Sequence, residues 1–110
     1  MINYWKYFIK IVKLKIMIQT LNKWIISASG WRTIFAESGE EQDFTQNISI
    51  ENAALLYLAG KAFTAYINEK NKDAKIVIGI DTRPTGPMMA SIIYQSLKES
   101  GIQVFYSGII

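Results

Sequence analysis

Cysteine and histidine are both missing from the 110 residues of this chain. Their absence excludes disulfides, thiol nucleophiles, an imidazole general base and zinc sites built on Cys or His. Any chemistry must come from carboxylates, Lys, Arg, Tyr, hydroxyls or backbone dipoles. A cysteine-free composition fits a cytoplasmic setting. Long uncharged apolar runs are also lacking. Lysines interrupt the N-terminal segment too often for a spanning helix of about 20 apolar residues. No clean apolar stretch marks a cleavable signal either. Half of the residues are apolar, enough for one modest core at this length.

Acidic residues are absent from positions 1–26, which hold Lys6, Lys10, Lys13, Lys15 and Lys23. The remainder has seven basic and nine acidic side chains, so the overall charge of +3 belongs to the leader alone. The rest of the chain is mildly acidic, which removes the main electrostatic argument for nucleic acid as a partner. We divide the chain into a basic leader, residues 1–24, and a domain, residues 25–110. Within the leader Trp5, Phe8, Ile9, Val12 and Ile16 fall at helical spacing, with Lys6, Lys10 and Lys13 on an adjacent stripe. Three readings stay open for it: an upstream stretch ahead of a start at Met17, a structural extension, or contact with a membrane interface. The sequence weighs against the last.

From Trp24 onward the pattern alternates between strand and helix. "KWIIS" and "WRTIFA" read as short strands around the turn "SASG", and residues 36–47 read as an acidic loop. Ser49 is suited to cap a helix reaching about Glu69, with Glu51 in its first turn. Leu55, Leu58, Ala62, Ala65 and Tyr66 mark its expected apolar face. Gly60 costs that helix about 1 kcal/mol relative to Ala, which calls for close packing on a neighbour. "KIVIGI" is nearly continuously apolar, as in a parallel strand covered on both faces. Pro87 opens a second helix with Met89, Ile92, Ile93 and Leu97 as its stripe, and Gly101 sits where a terminating glycine belongs. "IQVFYSG" is the last strand. The expected fold class is α/β, a parallel sheet with a mixed edge and covering helices.

Two polar clusters interrupt this pattern. In "VIGIDTRPTGPMM" a strand runs into Asp81 and Arg83 just before a helix. Ligands of parallel sheets bind beyond the carboxyl ends of strands, helix N-termini attract anions, and a guanidinium matches phosphate or carboxylate. The plain alternative is a structural ion pair. In "SASGWR", Ser29, Gly30 and Arg32 combine a hydroxyl, an approachable backbone and a second guanidinium. A simple turn is the commoner explanation for such a cluster. Neither is a P-loop, whose G-x-x-x-x-G-K-[ST] spacing is absent.

Taken in order, "SASGWR", a long helix, "IVIGIDTRP", a second helix and "GIQVFYSGI" resemble the first domain of the α-D-phosphohexomutases, the phosphoglucomutase and phosphomannomutase enzymes. The resemblance covers about residues 25–110 and departs from the family at Thr33, where many members have Gly. It implies an isomerase of carbohydrate metabolism that moves a phosphoryl group between the 1- and 6-positions of a hexose phosphate. A phosphoserine, Mg²⁺ and a hexose bisphosphate activator are implied with it. By analogy Arg32 would hold phosphate, Ser29 and Gly30 would shape its turn, and Asp81 and Arg83 would line or brace the cleft.

The family's T-A-S-H-N-P serine loop and D-x-D-x-D/R metal loop do not occur in these residues. The expectation is therefore a truncated domain I with no catalytic serine, no metal ligands and no mutase turnover by itself. A sheet edge or face is expected to lie uncovered. Two other readings remain. One is a small anion-binding module completed by a complementing chain that carries the missing domains. The other is a membrane-associated interaction protein led by the basic helix.

Overall fold

A computed structural model describes residues 4–27 and 30–110, with side chains of the first helix described at Lys10 and from Lys13 onward. The chain divides into two compact units, Met1–Ile34 and Phe35–Ile110. In the first, helix α1 spans Tyr4–Leu21. Strands β1, Ile25–Ser27, and β2, Gly30–Arg32, pair antiparallel with Ile26 opposite Trp31. They form a two-stranded sheet of their own. No described helix is long and apolar enough to cross a membrane.

The second unit is a βαβ arrangement with an additional helix. Helix α2 spans Ile50–Lys70, strand β3 Lys75–Ile80, helix α3 Gly86–Glu99 and strand β4 Gln103–Ile109. The acidic loop is closed at its base by a bridge between Ala36 and Ile48, both buried. Ser49 caps α2 as the sequence indicates, its hydroxyl accepting from the Asn52 amide at 3.1 Å. The parallel sheet consists of β3 and β4, with Ile76 opposite Val104 and Val77 opposite Phe105. Its register shifts after Ile78, leaving Ser107 as the extra residue of a bulge.

The buried face of α2 differs from the expected one. Asn52, Leu55, Leu56, Gly60 and Thr64 are buried, whereas Leu58, Ala62, Ala65 and Tyr66 are exposed. The reason is the line of closest approach to α3. A Cβ placed on Gly60 would lie 2.9 Å from the Cβ of Ser96, a fully buried residue. Ser96 donates to the Tyr57 carbonyl at 2.8 Å, and Thr64 donates to the Gly60 carbonyl at 2.9 Å. Small and hydroxyl side chains therefore occupy the seam, and a count of large apolar residues points elsewhere on the helix. On α3 the expected stripe is largely in place: Leu97 is buried, while Met89, Ile92 and Ile93 are half-buried.

The C-terminal half of α3 is firmly held. Lys61 reaches from α2 to the Ser96 carbonyl at 3.1 Å and the Ser100 hydroxyl at 3.0 Å. A cation at this end also suits the helix dipole. Glu99 accepts from Tyr57 and Gln95 and lies 3.5 Å from the Lys61 ammonium. The Tyr57 hydrogen bond, then that of Gln95, holds the Glu99 carboxyl below its ordinary range. The helix ends in a Schellman turn. Gly101, at φ +83°, donates to the Lys98 carbonyl at 3.0 Å, and Ile102 to the Leu97 carbonyl at 3.3 Å.

Strand β3 is not covered on both faces as its composition suggests. Its exposure alternates along the strand, and Val77 is 65% exposed. Phe105 and Ile109 of β4 are also exposed. Only α3 makes extensive contact with the strands among the described elements.

The Gly60–Ser96 approach predicts that Gly60→Ala destabilises the chain. Overpacking costs about 1–3 kcal/mol, against about 1 kcal/mol gained in helix propensity. The urea midpoint should fall; a higher midpoint would contradict this packing.

Candidate anion-binding site

Strand β3 delivers the chain to Asp81 at its carboxyl end, and α3 begins five residues later at Gly86. Asp81 shapes the turn between them. One carboxylate oxygen accepts from the Arg83 amide at 3.0 Å, an Asx-turn contact. The other lies 3.2 Å from Nε of the Arg83 side chain. The pair therefore exists, and it orients the guanidinium through Nε alone. With side chains 83% and 60% exposed, it contributes well under about 1 kcal/mol to stability. Its terminal nitrogens retain the planar geometry that suits two oxygens of one phosphate.

The helix N-terminus contributes less than its position suggests. Gly86 donates its amide to the Arg83 carbonyl at 3.1 Å, and Pro87 has no N–H. Thr85 makes no side-chain cap bond. Two of the first three helical positions thus offer no free N–H for a backbone cradle.

The acidic loop adds a neighbour that the sequence reading did not assign to the site. Glu41, Gln42, Asp43 and Phe44 line a shallow depression together with Pro84. Asp43 is locked in place by Ser38, which donates at 2.6 Å, and by the Thr45 amide at 2.9 Å. The Ser38 hydrogen bond, then the Thr45 amide, keeps its carboxyl below the ordinary range. The D-x-T spacing of Asp43 and Thr45 is the local signal for this turn.

The other candidate residues lie in the first unit. Gly30 and Arg32 open and close β2, and Arg32 is exposed opposite Ile25. Ser27 donates to the Gly30 carbonyl at 2.9 Å. Ser29 lies outside the described residues. Asp81 and Arg83 are thus brought together within the second unit, and Gly30 and Arg32 are placed within the first.

Magnesium favours oxygen ligands, commonly one or two carboxylates with waters and phosphate. Among the described residues no group of three or more Asp, Glu, Cys or His side chains could hold a metal ion. The Asp81 carboxylate is already engaged by Arg83 through both oxygens. These residues do not fit a magnesium site.

Residues 27–110 match the family model described as phosphoglucomutase/phosphomannomutase, alpha/beta/alpha domain I. The chain is also similar to a probable phosphoglucosamine mutase of Methanosphaera stadtmanae, 32% identical over 77 residues. That alignment covers 70% of this chain and 16% of the relative. No solved structure matches.

The Asp43 contacts carry a pH prediction. A carboxyl depressed in the folded state adds stability above its unfolded pKa, which is lost as pH falls through the folded value. In Ser38→Ala the Asp43 carboxyl should titrate at higher pH, and the stability gap between parent and variant should close as pH falls through the lowered folded value. An NMR titration showing Asp43 unmoved would contradict the assigned cause.

Proposed function

The chain belongs to the phosphoglucomutase/phosphomannomutase family through its α/β/α domain I, and on that premise we propose that it forms the phosphate-holding N-terminal segment of a hexose-phosphate mutase. The observation that carries this reading is the placement of Asp81 and Arg83. They lie between a parallel strand and the next helix, inside the matched residues. In such an enzyme a phosphoryl group moves between the 1- and 6-positions of the sugar by way of a phosphoserine and Mg²⁺. Arg83, and Arg32 on β2, are proposed to hold phosphate oxygens, while Asp81 keeps the Arg83 fork oriented. Gly30, and Ser29 beside it, are proposed to shape the turn that presents Arg32.

Charge stabilisation by arginines is the kind of contribution phosphoryl transfer requires. We assign no nucleophile, metal ligand or transfer step to the residues of this chain. The substrate class is a hexose phosphate, and the similarity to a probable phosphoglucosamine mutase extends that class to amino sugars. A second reading keeps the same anion site in a small module completed by another chain. It is favoured by the exposure of Val77, Phe105 and Ile109 on the sheet, and it predicts co-purification with a larger polypeptide.

Thermal unfolding in glucose 1-phosphate tests the proposal. At ligand tenfold above Kd the parent should gain about 1.4 kcal/mol, and the melting temperature should rise accordingly. Arg83→Ala should lose this response without a comparable loss of intrinsic stability. An equal shift in Arg83→Ala, or in chloride at matched ionic strength, would contradict it.

A further inference from the structure

Strand β3 forms its ladder through one edge and leaves the other open. The Ile80 carbonyl accepts from the Ile110 amide at 3.0 Å, and the Ile78 carbonyl from the Ser107 hydroxyl at 3.2 Å. Ile76, Ile78 and Ile80 therefore turn their backbone groups toward β4, and alternation turns those of Lys75, Val77 and Gly79 the opposite way. Among the described elements β3 touches β4 and α3 alone, and its sheet has two strands. Edge strands usually carry a proline, a bulge or several charges that discourage pairing. The bulge here lies on β4, at Ser107, whereas β3 is a regular KIVIGI with one charge, at Lys75.

A second copy of β3 fits this edge antiparallel, and charge selects the register. Backbone groups that face the edge must meet, so odd-numbered residues lie opposite odd-numbered ones. With Val77 opposite Gly79 of the second copy, the two-fold axis passes through Ile78. The glycine leaves room for the facing valine. Lys75 then lies opposite Asp81 of the second copy, at both ends of the paired strands. A shift of two residues one way sets Lys75 against Gly79 and separates the charges. The same shift the other way sets it against Arg83, where like charges oppose.

We propose that two copies of this chain pair along β3 in this register, and that Lys75 of each copy stands beside Asp81 and Arg83 of the other as a further cation of the anion site. Both Asp81 oxygens are engaged by Arg83, and each retains a lone pair for the incoming ammonium. The role of Lys75 rests on the phosphate reading given above; the pairing itself does not.

Sedimentation equilibrium of the 110-residue chain tests the pairing. A monomer–dimer equilibrium is expected, with amide exchange at Val77 and Gly79 slowing as concentration rises. Val77→Pro removes an N–H that β4 does not use, so its circular dichroism should match the parent while association weakens about tenfold or more. Lys75→Asp should weaken association by about tenfold, and Lys75→Asp/Asp81→Lys should recover it. Glucose 1-phosphate should bind the dimer more tightly than the Val77→Pro monomer. A chain that stays monomeric, association of Val77→Pro at the parent's strength, or no recovery in the charge-swapped variant would overturn the pairing. So would protection of Val77 and Gly79 that requires a different polypeptide. Equal glucose 1-phosphate affinity in dimer and monomer would remove Lys75 from the site. A dimer that fails to bind glucose 1-phosphate at all would remove the phosphate reading and the Lys75 role together, and would leave the pairing supported.

Discussion

The closest approach between α2 and α3, at Gly60 and Ser96, is the constraint on which the second unit depends. A glycine on one helix and a buried serine on the other bring the two backbones together. The serine hydroxyl is satisfied by the Tyr57 carbonyl, so burying it leaves no orphaned polar group. That contact sets which face of α2 is covered. It also sets the position of α3, whose two ends lead to the candidate site and to β4.

The two ends of α3 are treated in opposite ways. At the C-terminus, Lys61, the Ser100 hydroxyl and the Schellman turn occupy carbonyl groups, Glu99 holds Lys61 in place, and the entry to β4 is locked. At the N-terminus there is no side-chain cap, and the preceding loop carries an exposed arginine held by an aspartate. Asp81 orients the guanidinium from within that loop, and α3 is held from its other end. Its stability therefore does not rest on the ion pair, which is exposed and screened.

Much of this was legible in the sequence for definite reasons. Ser49, Pro87 and Gly101 are punctuation whose effects are local, and each lies at the helix end its chemistry favours. The strand of "KIVIGI" was clear from its run of apolar residues, and the Asp81–Arg83 pair from its place at the strand end. What failed depended on tertiary contacts. The buried face of α2 is not legible in its apolar residues because its seam is built from Gly60 and Thr64, which carry no hydrophobic signal. The one-sided burial of β3 is not legible either, because composition does not reveal how many layers cover a strand. The strands around "SASG" pair with each other as a separate sheet, a choice set by the hairpin's own register. The link from Phe44 and Asp43 to Pro84 joins residues distant in sequence, and no local pattern reports it.

The most direct test of the central claim is an amide chemical-shift map of the chain titrated with glucose 1-phosphate. A phosphate held at the end of β3 predicts saturable changes at Arg83, Thr85 and Met88, with α2 residues facing away from α3 unaffected. Changes confined to α1, or small and unsaturating ones spread along the lysines, would contradict the account and place any anion binding on charge alone.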